Sequence, residues 1–132
     1  GLHSGLMLVQ YVAAALASEN KVFCHPASAD SIPTSAGHED HVSMGPAAAY
    51  KLEKLVDNLE QILACEWLCA TQALDFRRPL TFGPATEVAY AELRKAVPTW
   101  QDDHPPYPEL KKARQGLQPM VAAVEKEIGL LH

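Results

Sequence analysis

The 132-residue chain has the length of one ordinary domain, and burying roughly two-thirds of the surface of its unfolded form gives a workable core. Hydrophobic residues make up 48% and charged residues 20% of the sequence, which excludes a disordered chain. A formal net charge of -5 argues against a nucleic-acid or anionic-membrane surface, so the partners expected are proteins or small molecules.

Residues 1–19 are read as a helix. The stretch LMLVQYVAAALASE, from Leu6 to Glu19, is rich in alanine and leucine and has almost no polar interruption. A helix that is apolar nearly all round wants burial on most sides, more than a small monomer offers. Residues 20–37, NKVFCHPASADSIPTSAG, carry two prolines and four serines or threonines without a sustained period, and are read as an ordered loop. A loop of this length within a compact domain is usually functional or disordered, and Val22, Phe23, Cys24 and Ile32 favour order.

Residues 38–78 are assigned to one long helix, with its regular part running from Pro46 to about Phe76. Leu52, Leu55, Val56, Leu59, Ile62, Leu63, Trp67, Ala70 and Leu74 recur there at threes and fours. Pro46 suits a first turn, and Arg77 and Arg78 before Pro79 suit the carboxyl end of the helix dipole. Such a helix extends about 45 Å, which is long for a compact domain of this size. Shorter helices are expected over 79–132. One spans Thr86 to Val97, a proline-rich connection follows from Pro98 to Pro108, and a last helix reaches about Leu131, with a break expected near Gly116 and Pro119.

Three cysteines, Cys24, Cys65 and Cys69, are an odd number, and the last two lie four apart inside a helix. A secreted disulfide framework is therefore not expected; a reducing cytoplasm fits, and no apolar run approaches a bilayer span. Cys65 and Cys69 read as small apolar fillers. Trp67 reads as core, and Trp100 as a cover for a helix end or an interface. There is no glycine-rich phosphate loop and no Gly-x-Ser-x-Gly elbow.

The densest ionisable cluster is His38-Glu39-Asp40-His41, inside TSAGHEDHVSMG. Imidazoles three apart can face one ion, with His25 or Asp30 as a conceivable third ligand, but the zinc-protease pattern needs histidines four apart with the glutamate between them, and no metal site is assigned. The alternative is a helix start, with Thr34 or Ser35 as cap and Glu39 and Asp40 in the first turn. Composition leaves both readings open, and the second leaves Glu39 available for chemistry.

The run SGLMLVQYVAAALASENKVFCHPASADSIPTSAGHEDHVSMG, Ser4 to Gly45, closely resembles the histidine ammonia-lyases, within the wider class of lyases that use a methylidene-imidazolone prosthetic group. QALDFRRPL resembles the segment that follows, so the likeness covers at least residues 4–80, and the whole chain reads as the carboxy-terminal portion of such an enzyme. The resemblance implies an all-α fold, a long-helix bundle that is part of a larger helical lyase fold and assembles as a homotetramer. It implies elimination of ammonia from L-histidine to give trans-urocanate, with an electrophile made from Ala-Ser-Gly. No Ala-Ser-Gly occurs in this sequence, which also begins with Gly1. The chain is therefore expected to be a fragment, inactive alone, that needs the missing amino-terminal portion.

Glu39 matches the glutamate of the family's Gln-Glu-Asp-His and is the implied catalytic and substrate-binding residue. Relatives acting on tyrosine or phenylalanine tend to carry Gln-Asp there, so the resemblance favours an imidazole-bearing substrate. His38 stands where the family has glutamine and is the implied second substrate-binding residue; Asp40 and His41 are expected to support the loop-to-helix junction. The alternative to an enzyme portion is a non-catalytic helical scaffold or interaction module derived from the lyase fold.

Overall fold

A computed structural model describes residues 4–129 and is all-α. Helix α1 spans Gly5–Phe23, α2 Gly45–Asp75, α3 Pro84–Arg94 and α4 Tyr107–Ile128. Short 3-10 turns at Ala27–Ala29 and Ser35–Gly37 interrupt the segment between α1 and α2.

The 31-residue α2 is the spine of the structure, about 46 Å long. Its face carrying Ala64, Cys65, Trp67 and Leu68 forms one core with Val9 of α1, Leu93 of α3, Val97 just beyond it, and Leu110 and Ala113 of α4. Cys65 is buried in this core and Cys69 packs against it, as the filler reading expects. Burial pushes both thiols above their ordinary range, with Cys69 adding to the effect at Cys65.

Among the named helices α1 packs only on α2, running antiparallel to it. At the carboxyl end of α1, the Asn20 amide donates to the Leu55 carbonyl, and the Asn58 amide donates to Glu19 Oε2 at 2.6 Å and to Asn20 Oδ1 at 3.0 Å. At its amino end, Gly5 lies against Trp100 and Asp103. Only Gly5 and Val9 of α1 are buried, while Met7, Leu8, Tyr11 and Val22 are about half exposed or more. Tyr50, Leu52, Val56, Leu59 and Leu63 of α2 are exposed as well. Among the described residues, much of the apolar surface of α1 thus stays exposed, with α2 its one helical neighbour.

The element boundaries differ from the sequence expectation at several places, among them α3, which spans Pro84–Arg94 where the sequence predicts Thr86 to Val97. Helix α1 continues past residue 19 to Phe23; residues 1–3, expected in the same helix, lie outside the described residues. Residues 38–44 are not helical, and α2 begins only at Gly45 with Pro46 in its first turn. Its carboxyl end falls at Asp75, so Arg77 and Arg78 lie in the turn beyond it, where Arg78 pairs with Glu87 through two hydrogen bonds of 3.0 and 2.8 Å. Helix α4 runs without a break through Gly116 and Pro119. Gly116 is there because the Trp67 indole occupies the space a Cβ would need, with ring carbons 3.2 and 3.3 Å from its position. At Gly116 close helix packing outweighs the low helix propensity. The residues expected at the end of this helix, 130 and 131, lie outside the described residues.

Trp100 covers a helix end. Its ring stacks on His104 with centroids 3.8 Å apart and lies beside Gly5, and Asp103 Oδ2 accepts the backbone N–H groups of Ser4 and Gly5 at 2.6 and 3.0 Å. These are two of the donors that the first turn of α1 leaves without intrahelical partners.

Candidate active-site loop

Between α1 and α2 the chain folds back on itself as a short hairpin. The backbone of Thr34 pairs with Glu39 in an isolated antiparallel bridge, Thr34 N–H donating to the Glu39 carbonyl at 2.8 Å and Glu39 N–H returning to the Thr34 carbonyl at 3.3 Å. Three positions further out on each limb, in the same register, Ser31 faces Val42. The Ser31 hydroxyl donates to the Val42 carbonyl at 2.9 Å and accepts the Val42 N–H at 2.7 Å. Between these two clamps lies Pro33, which has no N–H to offer a ladder, so a serine side chain takes over the pairing that the main chain cannot continue.

The tip of the hairpin is Ser35-Ala36-Gly37-His38. Ser35, Ala36 and Gly37 have φ of +53, +55 and +86°, three successive left-handed residues of which only one is glycine. The left-handed region costs an L-residue about 1–2 kcal/mol, so the conformation persists only because the surrounding bonds hold it. Gly37 N–H to the Thr34 carbonyl, 3.0 Å, and His38 N–H to the Ser35 carbonyl, 3.1 Å, close the turn.

The expectation that Glu39 and Asp40 open a helix is corrected by this geometry. They lie on the returning limb of the hairpin, six and five residues before α2 begins, and the helix has no acidic residue in its first turn. The Glu39 side chain is held by Thr34 instead, whose hydroxyl donates to Glu39 Oε2 at 3.1 Å. His38, Glu39, Asp40 and His41 are all exposed on the loop. Asp30 and His41 line a shallow cavity with Ser28, Ser43 and the start of α2 at Met44 and Gly45, and His38 and Glu39 are not part of it. No three His, Cys, Asp or Glu side chains among the described residues converge as a metal-binding group. The base of the loop is tied to α2 by Lys51, whose ammonium donates to the His25 carbonyl.

Thr34 and Ser31 are the side chains that hold the loop, and spacing in the sequence does not reveal either bond. In the sequence Thr34 stands as a possible helix cap and Ser31 as one of several loop hydroxyls. A glycine within the four residues that separate Thr34 from Glu39 is the one sequence signal that pointed to a tight turn. A cavity of about 820 Å³ between α2 and α4, beside Trp67 and Arg114, shares no residue with the loop. Arg114, which lines it, donates to Glu60 at 3.0 Å and also to Asp57.

No described helix is long and apolar enough to cross a membrane. The aromatic amino acid lyase family profile matches residues 1–95. The histidine ammonia-lyase of Sorangium cellulosum is 46% identical over 134 residues, covering 100% of this chain and 26% of that protein. The histidine ammonia-lyase of Gloeobacter violaceus is 56% identical over 103 residues, covering 78% of this chain and 20% of that protein. Among solved structures, histidine ammonia-lyase from Trypanosoma cruzi superposes with a TM-score of 0.91 at 43% identity, over 97% of this chain and 26% of that one. Tyrosine aminomutase from Streptomyces globisporus gives a TM-score of 0.91 at 32% identity, over 99% of this chain and 25% of that one. The chain thus spans about a quarter of the length of the relatives it matches. On the profile match and the shared all-α fold, this chain belongs to the aromatic amino acid lyase family.

Proposed function

We propose that the chain is the carboxy-terminal portion of a histidine ammonia-lyase and contributes Glu39 to a composite active site that eliminates ammonia from L-histidine to give trans-urocanate. The observation that carries this reading is the hairpin at 31–42. It projects a glutamate beside a strained tip and holds that glutamate by a side-chain hydrogen bond, in a segment of a family whose histidine-acting members match at 46 to 56% identity. The aminomutase shares the fold at lower identity, so fold alone does not choose the substrate; glutamate rather than aspartate at position 39 supports an imidazole-bearing one.

Glu39 accepts a hydrogen bond from the imidazole N–H of the substrate. A carboxylate there orients the ring and stabilises positive charge that develops on it as the amine departs. His38, the next residue toward the tip, contributes the second contact. Methylidene-imidazolone supplies the electrophile in the intact enzyme. This sequence has no Ala-Ser-Gly from which it forms, so the residues present do not make the group and the chain alone is inactive. The exposed apolar faces of α1 and α2 support assembly with the remaining portion of the enzyme and with further copies in a homotetramer.

The test is complementation. The chain is co-expressed with the remaining portion of a histidine ammonia-lyase relative, and urocanate absorbance is followed. Activity is expected from the assembled pair and from neither part alone. An assembled pair without activity overturns the reading in favour of a helical scaffold.

A further inference from the structure

The hydrogen bond from Thr34 to Glu39 has a consequence beyond holding the loop. Three rotatable bonds separate a glutamate carboxylate from the backbone, and an exposed glutamate samples many orientations. Here one oxygen, Oε2, accepts the Thr34 hydroxyl at 3.1 Å, and among the described residues the other, Oε1, accepts no hydrogen bond. The donor itself does not wander, because Thr34 is β-branched and its backbone is fixed on both sides by the bridge to Glu39 and by the turn bond from Gly37. The two residues therefore form a closed ring of main-chain and side-chain bonds, with a single carboxylate oxygen presented outward.

We infer that Thr34 is a positioning residue, whose hydroxyl holds Glu39 Oε2 so that Oε1 is offered to the substrate's imidazole. This rests on the reading of Glu39 as the substrate-facing group. Pre-orienting an acceptor reduces the reorganisation needed when the substrate arrives, and a misplaced acceptor loses part of its bond in the transition state. The serine clamp at Ser31 and Val42 acts one step further out, by fixing the limb from which Glu39 projects.

The test uses the complemented enzyme, with Thr34→Val to remove the hydroxyl at nearly constant shape, Thr34→Ala to remove it without adding bulk, and Thr34→Ser to keep it. Thr34→Val and Thr34→Ala are expected to lower kcat for L-histidine about tenfold, and Thr34→Ser to keep most of the activity. In a Glu39→Gln background, adding Thr34→Val is expected to cost little more, because the hydroxyl then has no carboxylate to orient. A purely structural threonine predicts the opposite, with the two losses multiplying. Wild-type turnover in both hydroxyl-free variants, or full multiplication in the double variant, overturns the inference while leaving Glu39 in place. Wild-type turnover in Glu39→Gln alone overturns the underlying assignment of Glu39, and the inference falls with it.

Discussion

Asp75 at the end of α2 and Arg94 at the end of α3 meet in a 2.6 Å ion pair in which each side chain is only 13% exposed. The pair sits in a wider polar network. Tyr90 donates its hydroxyl to the other Asp75 oxygen at 2.6 Å, and Arg94 also reaches Gln72 Oε1 and the carbonyls of Val97 and Pro98. Gln72 in turn joins this network to Trp100, accepting its N–H at 2.8 Å and donating to its carbonyl at 3.1 Å. The junction of α2, α3 and the proline-rich connection is therefore locked by side chains that are polar yet mostly buried.

Burial alone would raise the Asp75 carboxyl, but hydrogen bonds from Tyr90 and Arg94 and the Arg94 charge outweigh it, and the carboxyl is held below its ordinary range. A carboxyl depressed in the folded state stabilises the fold above its unfolded-state value and loses that contribution as pH falls through the folded-state value. Asp75→Asn is expected to cost about 2 kcal/mol near neutral pH, because Arg94 is left without its charge partner. Urea unfolding of the two proteins is expected to show a constant gap at neutral pH that narrows below about pH 4. A gap that is the same at pH 3 and pH 7 would show that the charge contributes nothing.

Asp103→Ala removes the carboxylate that accepts the Ser4 and Gly5 amides. Loss of a capping acceptor typically costs about 1 kcal/mol. The effect is expected to be local, with faster amide hydrogen exchange at the start of α1 and unchanged exchange in the middle of α2. Uniformly faster exchange along α2 would contradict the capping role.

Gly116→Ala sets a gain in helix propensity against a clash with the Trp67 ring. The ring is buried and its Nε1–H donates to the Ala89 carbonyl at 3.0 Å, so it has little freedom to retreat. Overpacking of about 1–3 kcal/mol exceeds the roughly 1 kcal/mol gained from replacing glycine, and a net loss of about 1 kcal/mol is expected. Thermal unfolding should show a Tm lowered by a few degrees, with a shifted Trp67 indole N–H resonance. A raised Tm would mean that α4 moves aside without cost.

Glu39→Gln in the complemented enzyme is expected to lower turnover of L-histidine about 100-fold while leaving stability within about 0.5 kcal/mol. The side chain is exposed, and glutamine keeps an oxygen to accept the Thr34 hydroxyl, so the hairpin is preserved. Steady-state kinetics together with a thermal melt separate the two effects. A parallel fall in melting temperature and activity would assign Glu39 to the fold rather than to the reaction.

The helices were legible in the sequence to the extent that their stabilisation is periodic. The threes and fours from Leu52 to Leu74 located α2, although of those residues only Trp67 lies in the core, while Leu52, Val56, Leu59 and Leu63 stay exposed. The same reasoning misplaced its start, since residues 38–42 belong to the hairpin and α2 begins only at Gly45. Gly116 and Pro119 read as a break because propensity is a local quantity, whereas the reason for glycine there is a tryptophan 49 positions earlier in the chain.

What the sequence determined by itself was the all-α class, the excess apolar surface of α1 and the family likeness carried by the loop, because helix periodicity, composition and motif order are all properties of a linear string. What only the tertiary structure decided was how the loop holds its acid. Register between two loop limbs depends on which donor meets which acceptor, and neither Thr34 beside Glu39 nor Ser31 beside Val42 follows from spacing alone. The same holds for Asp103, which caps a helix that begins almost a hundred residues before it, a contact that exists only once the chain has folded back on α2.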